Sequence, residues 1–366
     1  MRLAALLGVT LCFLPPEMAT ASAALRPFAM GFTPFPYDMT PEAVRSTSEF
    51  LRRNGDMVAH HFDNGVPWTE ALAGKRFHAA ITKDWEERRA SARGKAVFLA
   101  LTPLDSARRS LALYRSAREN MPLPDRFRKA QFNDPAVKKA YLQYCRRAIE
   151  FFKPRWCAIG IEVNELLLNA PSRWPDFLEL YKETYSALKK QFPQLPLCAT
   201  LSLHSLTDPA KSGKNDQRRQ VLAFLELNDL VALSYYPFMA GNLTNFEAPL
   251  AWVRKATCKP LAVAESGFPA ETIRLESFNL TLPSTPARQK AFLKTLLKRA
   301  LVNRYRFVVW FLHRDYDALW NRIKNSCPEA FVVWKDCGLI DELGRPRPAL
   351  KVWRSYLKRK WKEVAP

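Results

Sequence analysis

Short apolar runs and longer amphipathic stretches alternate along almost the whole chain. Phe28–Phe35, Asp56–Phe62, Lys95–Leu101, Trp156–Val163, Leu197–Leu203, Asp229–Ser234, Pro260–Ala264 and Tyr305–Leu312 are the apolar runs. Most of them are uniformly apolar and do not alternate, the mark of strands buried on both faces of a parallel sheet. Between them lie helix-period segments: Pro41–Asn54, a helix near Ile81–Ala92, Asp134–Phe152, Ser172–Phe192, one near Lys214–Leu227, Phe246–Thr257, Thr285–Val302 and a closing helix over Pro348–Lys362. Thr40 before Pro41 and Asp134 before Pro135 are start signals, a capping side chain followed by proline at the first helical position. Eight such units in a chain of 366 residues predict an α/β fold of the (β/α)8 TIM barrel kind. Residues 102–134 fit neither period and are expected as an insertion, either a lid or a helical excursion.

The chain's ends and charge refine that picture. Arg2, the apolar Leu3–Leu14 and Ala21-Ser22-Ala23 have the layout of an export signal cut after Ala23. The expected domain plan is therefore a leader over 1–23 and one barrel over 24–366. The expected location is outside the cytoplasm, secreted or periplasmic, with no transmembrane segment after cleavage. Of the seven cysteines, Cys12 lies in the leader and six remain, with Cys327 and Cys337 the pair expected to bridge first. The formal net charge of +21 points to a polyanion such as an acidic polysaccharide, or to solubility alone. The chain has no recognisable nucleic-acid motif, so nucleic acid is not an expected partner. No GxGxxG or GxxxxGK[ST] follows a strand, and no cofactor is expected.

In a parallel barrel, reactive side chains collect at the C-terminal strand ends. Here those ends carry His60, His61 and Asp63, then Glu162, Asn164 and Glu165, then His204, Tyr235-Tyr236, Glu265, and Trp310. Glu165 and Glu265, on the fourth and seventh strands, would face each other across the barrel mouth. Two carboxylates about 5–5.5 Å apart are what a retaining glycosidase needs, one protonated to donate and one ionised to attack. A metal reading is also open, with His60 or His61, Asp63 and His204 as ligands of a hydrolase or deacetylase, although adjacent histidines point to opposite faces of a strand. A third reading is a barrel that binds carbohydrate without cutting it. Trp68, Trp174 and Trp320 are either sugar platforms or packing.

Asn164-Glu165, Ser234-Tyr235-Tyr236-Pro237-Phe238, Ala264-Glu265-Ser266-Gly267-Phe268-Pro269 and Trp310 resemble clan A glycoside hydrolases, most of all their endo-β-1,4-galactanase-like branch. That resemblance implies a retaining glycoside hydrolase, which the leader would make an exported one. Glu165 would be the acid/base and Glu265 the nucleophile. Asn164 would hold the sugar 2-hydroxyl, Tyr236 (or Tyr235) the nucleophile, and Trp310 would floor the sugar. Apart from the resemblance, His61 and His204 are expected to hydrogen-bond substrate rather than a metal. The family's Gly-Asn-Glu is replaced by Val163-Asn164-Glu165, and histidines stand where the clan commonly has an arginine. The basic residues from Arg108 to Arg128 add the expectation of an anionic carbohydrate substrate.

Overall fold

The computed structural model describes residues 25–362. The export signal expected over 1–23 lies outside them. The strands are β1 (Ala29–Phe32), β2 (Met57–Phe62), β3 (Ala96–Leu101), β4 (Trp156–Ala158), β5 (Leu197–Cys198, resuming at Thr200–Ser202), β6 (Val231–Tyr235), β7 (Leu261–Ser266) and β8 (Phe307–Trp310). Every neighbouring pair is parallel. The first part of β5 pairs with β4 and the second with β6, so the break at Ala199 lies inside one barrel strand and the ring closes. This is a (β/α)8 barrel, as the alternation predicts.

Two shells of apolar side chains follow from strand periodicity. Inward positions such as Met57, Ala59, Phe98, Trp156, Ala232, Ala262, Ala264, Phe307 and Val309 form a small central cluster. Outward positions such as Val58, Leu99, Val263, Val308 and Trp310 pack under the helices as the main core. The helices begin where their caps demand. The side chains of Thr40, Asp134 and Thr285 accept backbone N–H groups at the starts of Pro41–Asn54, Pro135–Phe152 and Pro286–Val302.

Three stretches lie outside the alternating strand–helix pattern. A helix over Trp68–Ala73 occupies what reads as loop, and residues 102–134 contain only the short helix Asp125–Arg128 with isolated bridges. Residues after β8 build the helix Asp317–Ile323 and a 3-10 turn over Glu329–Trp334, and a small antiparallel hairpin (Ile273–Leu275 with Leu280–Leu282) lies beside that turn. The Glu329 carboxylate accepts the backbone N–H groups of Glu276 and Ser277, which ties hairpin to turn. No cysteine bridge forms among the described residues. The expected Cys327–Cys337 pair is corrected here: the Cys337 thiol is fully buried and donates to the Val333 carbonyl, while Cys327 stays near the surface. No described helix is long and apolar enough to cross a membrane.

Candidate active site

A cleft of about 660 Å³ opens at the C-terminal end of the barrel, lined by His61, Asp63, Arg108, Glu162, Tyr236 and Glu265 on its polar side. Phe35, Phe311, Tyr316, Trp320 and Trp334 form the aromatic side. Each polar side chain arrives there through a local feature of its strand.

On β2, Met57 and Ala59 face the barrel centre, so His61 and Asp63 continue that row into the cleft, while His60 turns outward against Phe152. On β6, Ala232 faces inward, so Tyr236 enters the cleft; Tyr235 is buried among the helices and its hydroxyl donates to the Phe246 carbonyl. On β7, Ala262 and Ala264 face inward, and strict alternation would send Glu265 outward. A bulge against β6 prevents this: Leu233 pairs with Val263, but Ser234 pairs with Glu265. The extra residue re-aims Glu265 into the cleft, a use of bulges common beside active sites.

The β4 end is where the structure parts most from the sequence reading. The strand stops at Ala158, and Glu162 adopts a left-handed backbone, φ 48°. A non-glycine residue held there costs free energy and is retained where the surroundings over-determine it. Its N–H donates to Thr200 Oγ1 at 2.8 Å, and the Val163 N–H to the Thr200 carbonyl. The turn aims the Glu162 carboxylate into the cleft. Asn164 is fully buried and spends its amide on β5, accepting the Ser202 N–H at 2.7 Å and donating to the Ser202 carbonyl at 3.2 Å. Glu165 opens the short helix Glu165–Asn169 and is not part of the cleft lining. The carboxylate opposite Glu265 is thus Glu162. Glu162 is preceded by the buried Ile161, so no amide stands directly before the cleft carboxylate.

The remaining expected residues divide cleanly. His61 Nδ1 donates to Glu265 Oε1 at 2.8 Å, and the Tyr236 hydroxyl donates to Oε2 at 3.0 Å. Gly267 makes room for the Tyr236 ring, since a Cβ there would lie 3.2 Å from Cε1. Trp310 is corrected: it faces outward, packs on Phe292 and donates its indole N–H to the Cys337 carbonyl. The next residue, Phe311, is the one exposed to the cleft, with Trp320 and Trp334 beyond it. His204 lines a separate pocket of about 370 Å³ near Trp252, and its edge approaches Tyr236 with ring centroids 6.4 Å apart. Trp68 and Trp174 are core, stacked on Phe127 and Phe177. His60, His61, Asp63 and His204 do not converge on any one point where an ion would sit among the described residues.

Sequence reasoning missed Arg108. It comes from the irregular stretch after β3, itself in a left-handed conformation, φ 53°. Its guanidinium grips both Asp63 carboxylate oxygens at 3.0 and 2.8 Å and reaches Glu162 Oε2 at 3.5 Å. The substrate-anion role expected for the basic stretch fails at this residue, because its charge is spent inside the protein.

The electrostatics separate the two carboxyls. Burial pushes the Glu162 carboxyl up, the neighbouring Glu265 adds to this, and Arg108 only partly opposes it. Burial also acts on Glu265, but His61, Tyr236 and Arg108 outweigh it and hold that carboxyl below its usual range. His61 is correspondingly raised: burial disfavours its charge, and Glu265 with Asp63 more than restores it. Burial lowers His60 to about 3 and His204 to about 4, so both are neutral. A carboxyl with raised proton affinity beside one with lowered affinity is the asymmetry an acid–nucleophile pair needs.

Residues 140–317, just under half the chain and running from the helix before β4 into the segment after β8, match the family model described as Glycosyl hydrolase family 53. No curated protein sequence matches the chain. Among solved structures, an exo-beta-1,4-mannosidase from Opitutaceae bacterium strain TAV5 aligns at 13% identity and TM-score 0.59. The alignment covers 93% of this chain, which spans 62% of that protein's length. A GH5_18 structure from Bifidobacterium longum subsp. longum aligns at 12% identity and TM-score 0.63, over 93% of this chain and 81% of the other. The GH53 catalytic domain of Ignisphaera aggregans aligns at 16% identity and TM-score 0.53, over 84% and 88%. At these identities the structures speak for the shared barrel. The family model lies across the two carboxylate-bearing strand ends, and over residues 140–317 the chain is similar to Glycosyl hydrolase family 53.

Proposed function

We propose that the protein cleaves a β-glycosidic bond by double displacement, with Glu265 as nucleophile and Glu162 as acid/base. The observation that carries this is the pair of carboxyls lining one cleft with oppositely displaced proton affinities. In the first step the Glu265 carboxylate attacks the anomeric carbon and the bond to the glycosidic oxygen breaks. Glu162 gives its proton to the departing oxygen. In the second step Glu162, now a carboxylate, takes a proton from water, whose oxygen attacks the anomeric carbon and releases Glu265. His61 and Tyr236 bind the two oxygens of Glu265 and orient it for attack. The aromatic side of the cleft offers ring faces to the sugar. We place this activity outside the cytoplasm, after removal of residues 1–23, in line with the leader-like N-terminus.

The test is a panel of oligosaccharides and aryl β-glycosides against wild type and three variants. Glu265→Ala should lose turnover and recover part of it with azide, giving an azide product of inverted configuration. Glu162→Ala should lose poor leaving groups most and aryl glycosides least. Glu165→Gln should stay within a few-fold of wild type. A silent Glu162→Ala together with an inactive Glu165→Gln would exchange the two roles and refute the assignment. Saccharide binding without turnover across the whole panel would favour a binding barrel instead.

A further inference from the structure

The positive charge of the chain is not concentrated in its cleft. The chain carries +21, yet the cleft sets Asp63, Glu119, Glu162 and Glu265 against Arg108 and Lys335, with His61 a third cation when protonated. Lys335 is spent on Asp317 at 2.9 Å and Asp336 at 2.7 Å, and Arg108 on Asp63. No cation in the cleft is left over for an anionic sugar.

A cluster of cations lies elsewhere. A groove of about 850 Å³ runs between the helices Ala79–Ser91 and Pro135–Phe152, and none of its lining residues is shared with the cleft. Arg76, Lys83, Arg89, Arg147 and Lys153 line it, against Glu86 and Glu150. Arg76, Arg89 and Lys153 have no carboxylate partner among the described residues, and Lys83 meets Glu87 only at 3.9 Å. Arg147 donates to the Lys75 carbonyl and lies 4.7 Å over the Phe77 ring, while Arg89 lies 4.1 Å over Phe151. Flat guanidinium groups held on aromatic faces are pre-organised and present their N–H edges for two-pronged capture of carboxylates.

We infer that this groove is an exosite for an acidic polysaccharide, a chain of uronate residues, which tethers the enzyme while the cleft works on a sugar without charge. The inference stands on charge and shape and needs no particular glycoside in the cleft. The groove follows the seam between the two helices and lies open to solvent. Nucleic-acid bases have little to stack on, because the Phe77 and Phe151 faces are covered by guanidinium groups and Trp85 is buried. A bilayer has nothing to take up, since none of the exposed large hydrophobic residues lies in the lining.

The test measures binding of polygalacturonate, neutral dextran, duplex DNA and anionic phospholipid vesicles to the full protein at two salt concentrations. Two triple variants accompany wild type, each removing three exposed cations. One is Arg76→Ser, Lys83→Ser, Arg89→Ser in the groove; the other is Lys351→Ser, Lys358→Ser, Lys360→Ser near the C-terminus. Polygalacturonate should bind in a salt-sensitive way, about tenfold more weakly to the groove variant and less than about threefold more weakly to the control. Hydrolysis of small aryl glycosides should be equal in all three proteins and uninhibited by polygalacturonate. Equal losses in both variants, competition with small substrates, or tighter binding to DNA or vesicles would each overturn the exosite. Absence of glycosidase activity would instead count against the proposed function and leave the binding arms readable.

Discussion

Replacing His61 with Gln removes the only cation among the described residues that donates directly to Glu265. The imidazole lies 2.8 Å from Oε1, inside the cleft, and a charge-assisted hydrogen bond of this kind contributes ~1.5–3 kcal/mol. Tyr236 still holds Oε2 and Arg108 remains nearby, so the loss is partial. If that energy is felt where the carboxylate attacks, kcat/KM falls by about 10–150-fold. The pH profile carries the sharper signature. Glu265 is held ionised below its usual range by His61, so the variant's carboxylate takes up a proton at higher pH and the acid limb of kcat/KM moves upward. The alkaline limb, set by loss of the Glu162 proton, should move far less. The same pair contributes to stability in a defined window. Glu265, with its depressed proton affinity, stabilises the fold above its unfolded-state value, and this is lost as pH falls. His61, raised, stabilises below its unfolded-state value, and this is lost as pH climbs through its folded one. The assay is steady-state hydrolysis of an aryl glycoside from pH 3 to 9 (about six pH units) for both proteins, with chemical denaturation alongside. A variant with kcat/KM within about twofold of wild type and an unmoved acid limb would refute the role given to His61.

Two further outcomes follow from buried contacts. Arg108→Met leaves Asp63 and Glu162 uncompensated in the cleft wall and should cost ~3 kcal/mol of folding stability, read from denaturant midpoints, with less than about 1 kcal/mol counting against the ion-pair network. Because every described cysteine is a free thiol, the melting temperature should be the same with and without a reductant, and a fall on reduction would reveal a bridge.

The sequence by itself determined the barrel and most of its element boundaries. Eight apolar runs alternating with capped amphipathic helices admit few other folds, and caps such as Thr40 and Asp134 act through their immediate neighbours, so they are readable without tertiary context. It also singled out Glu265, a carboxylate at the end of an apolar strand, and Tyr236 and His61 as candidates, and all three line the cleft. Only the tertiary structure decided which member of Glu162-Val163-Asn164-Glu165 reaches the cleft. That choice rests on a left-handed turn at Glu162 held by Thr200, and on Asn164 being consumed by Ser202, both thirty-eight positions along the chain. It likewise decided Phe311 over Trp310, one step of strand parity, and it brought Arg108 onto Asp63 from a stretch with no period to read. Local propensity and burial period are written into neighbouring residues. The aim of a side chain past the end of a strand is set by partners that only the closed barrel brings into reach.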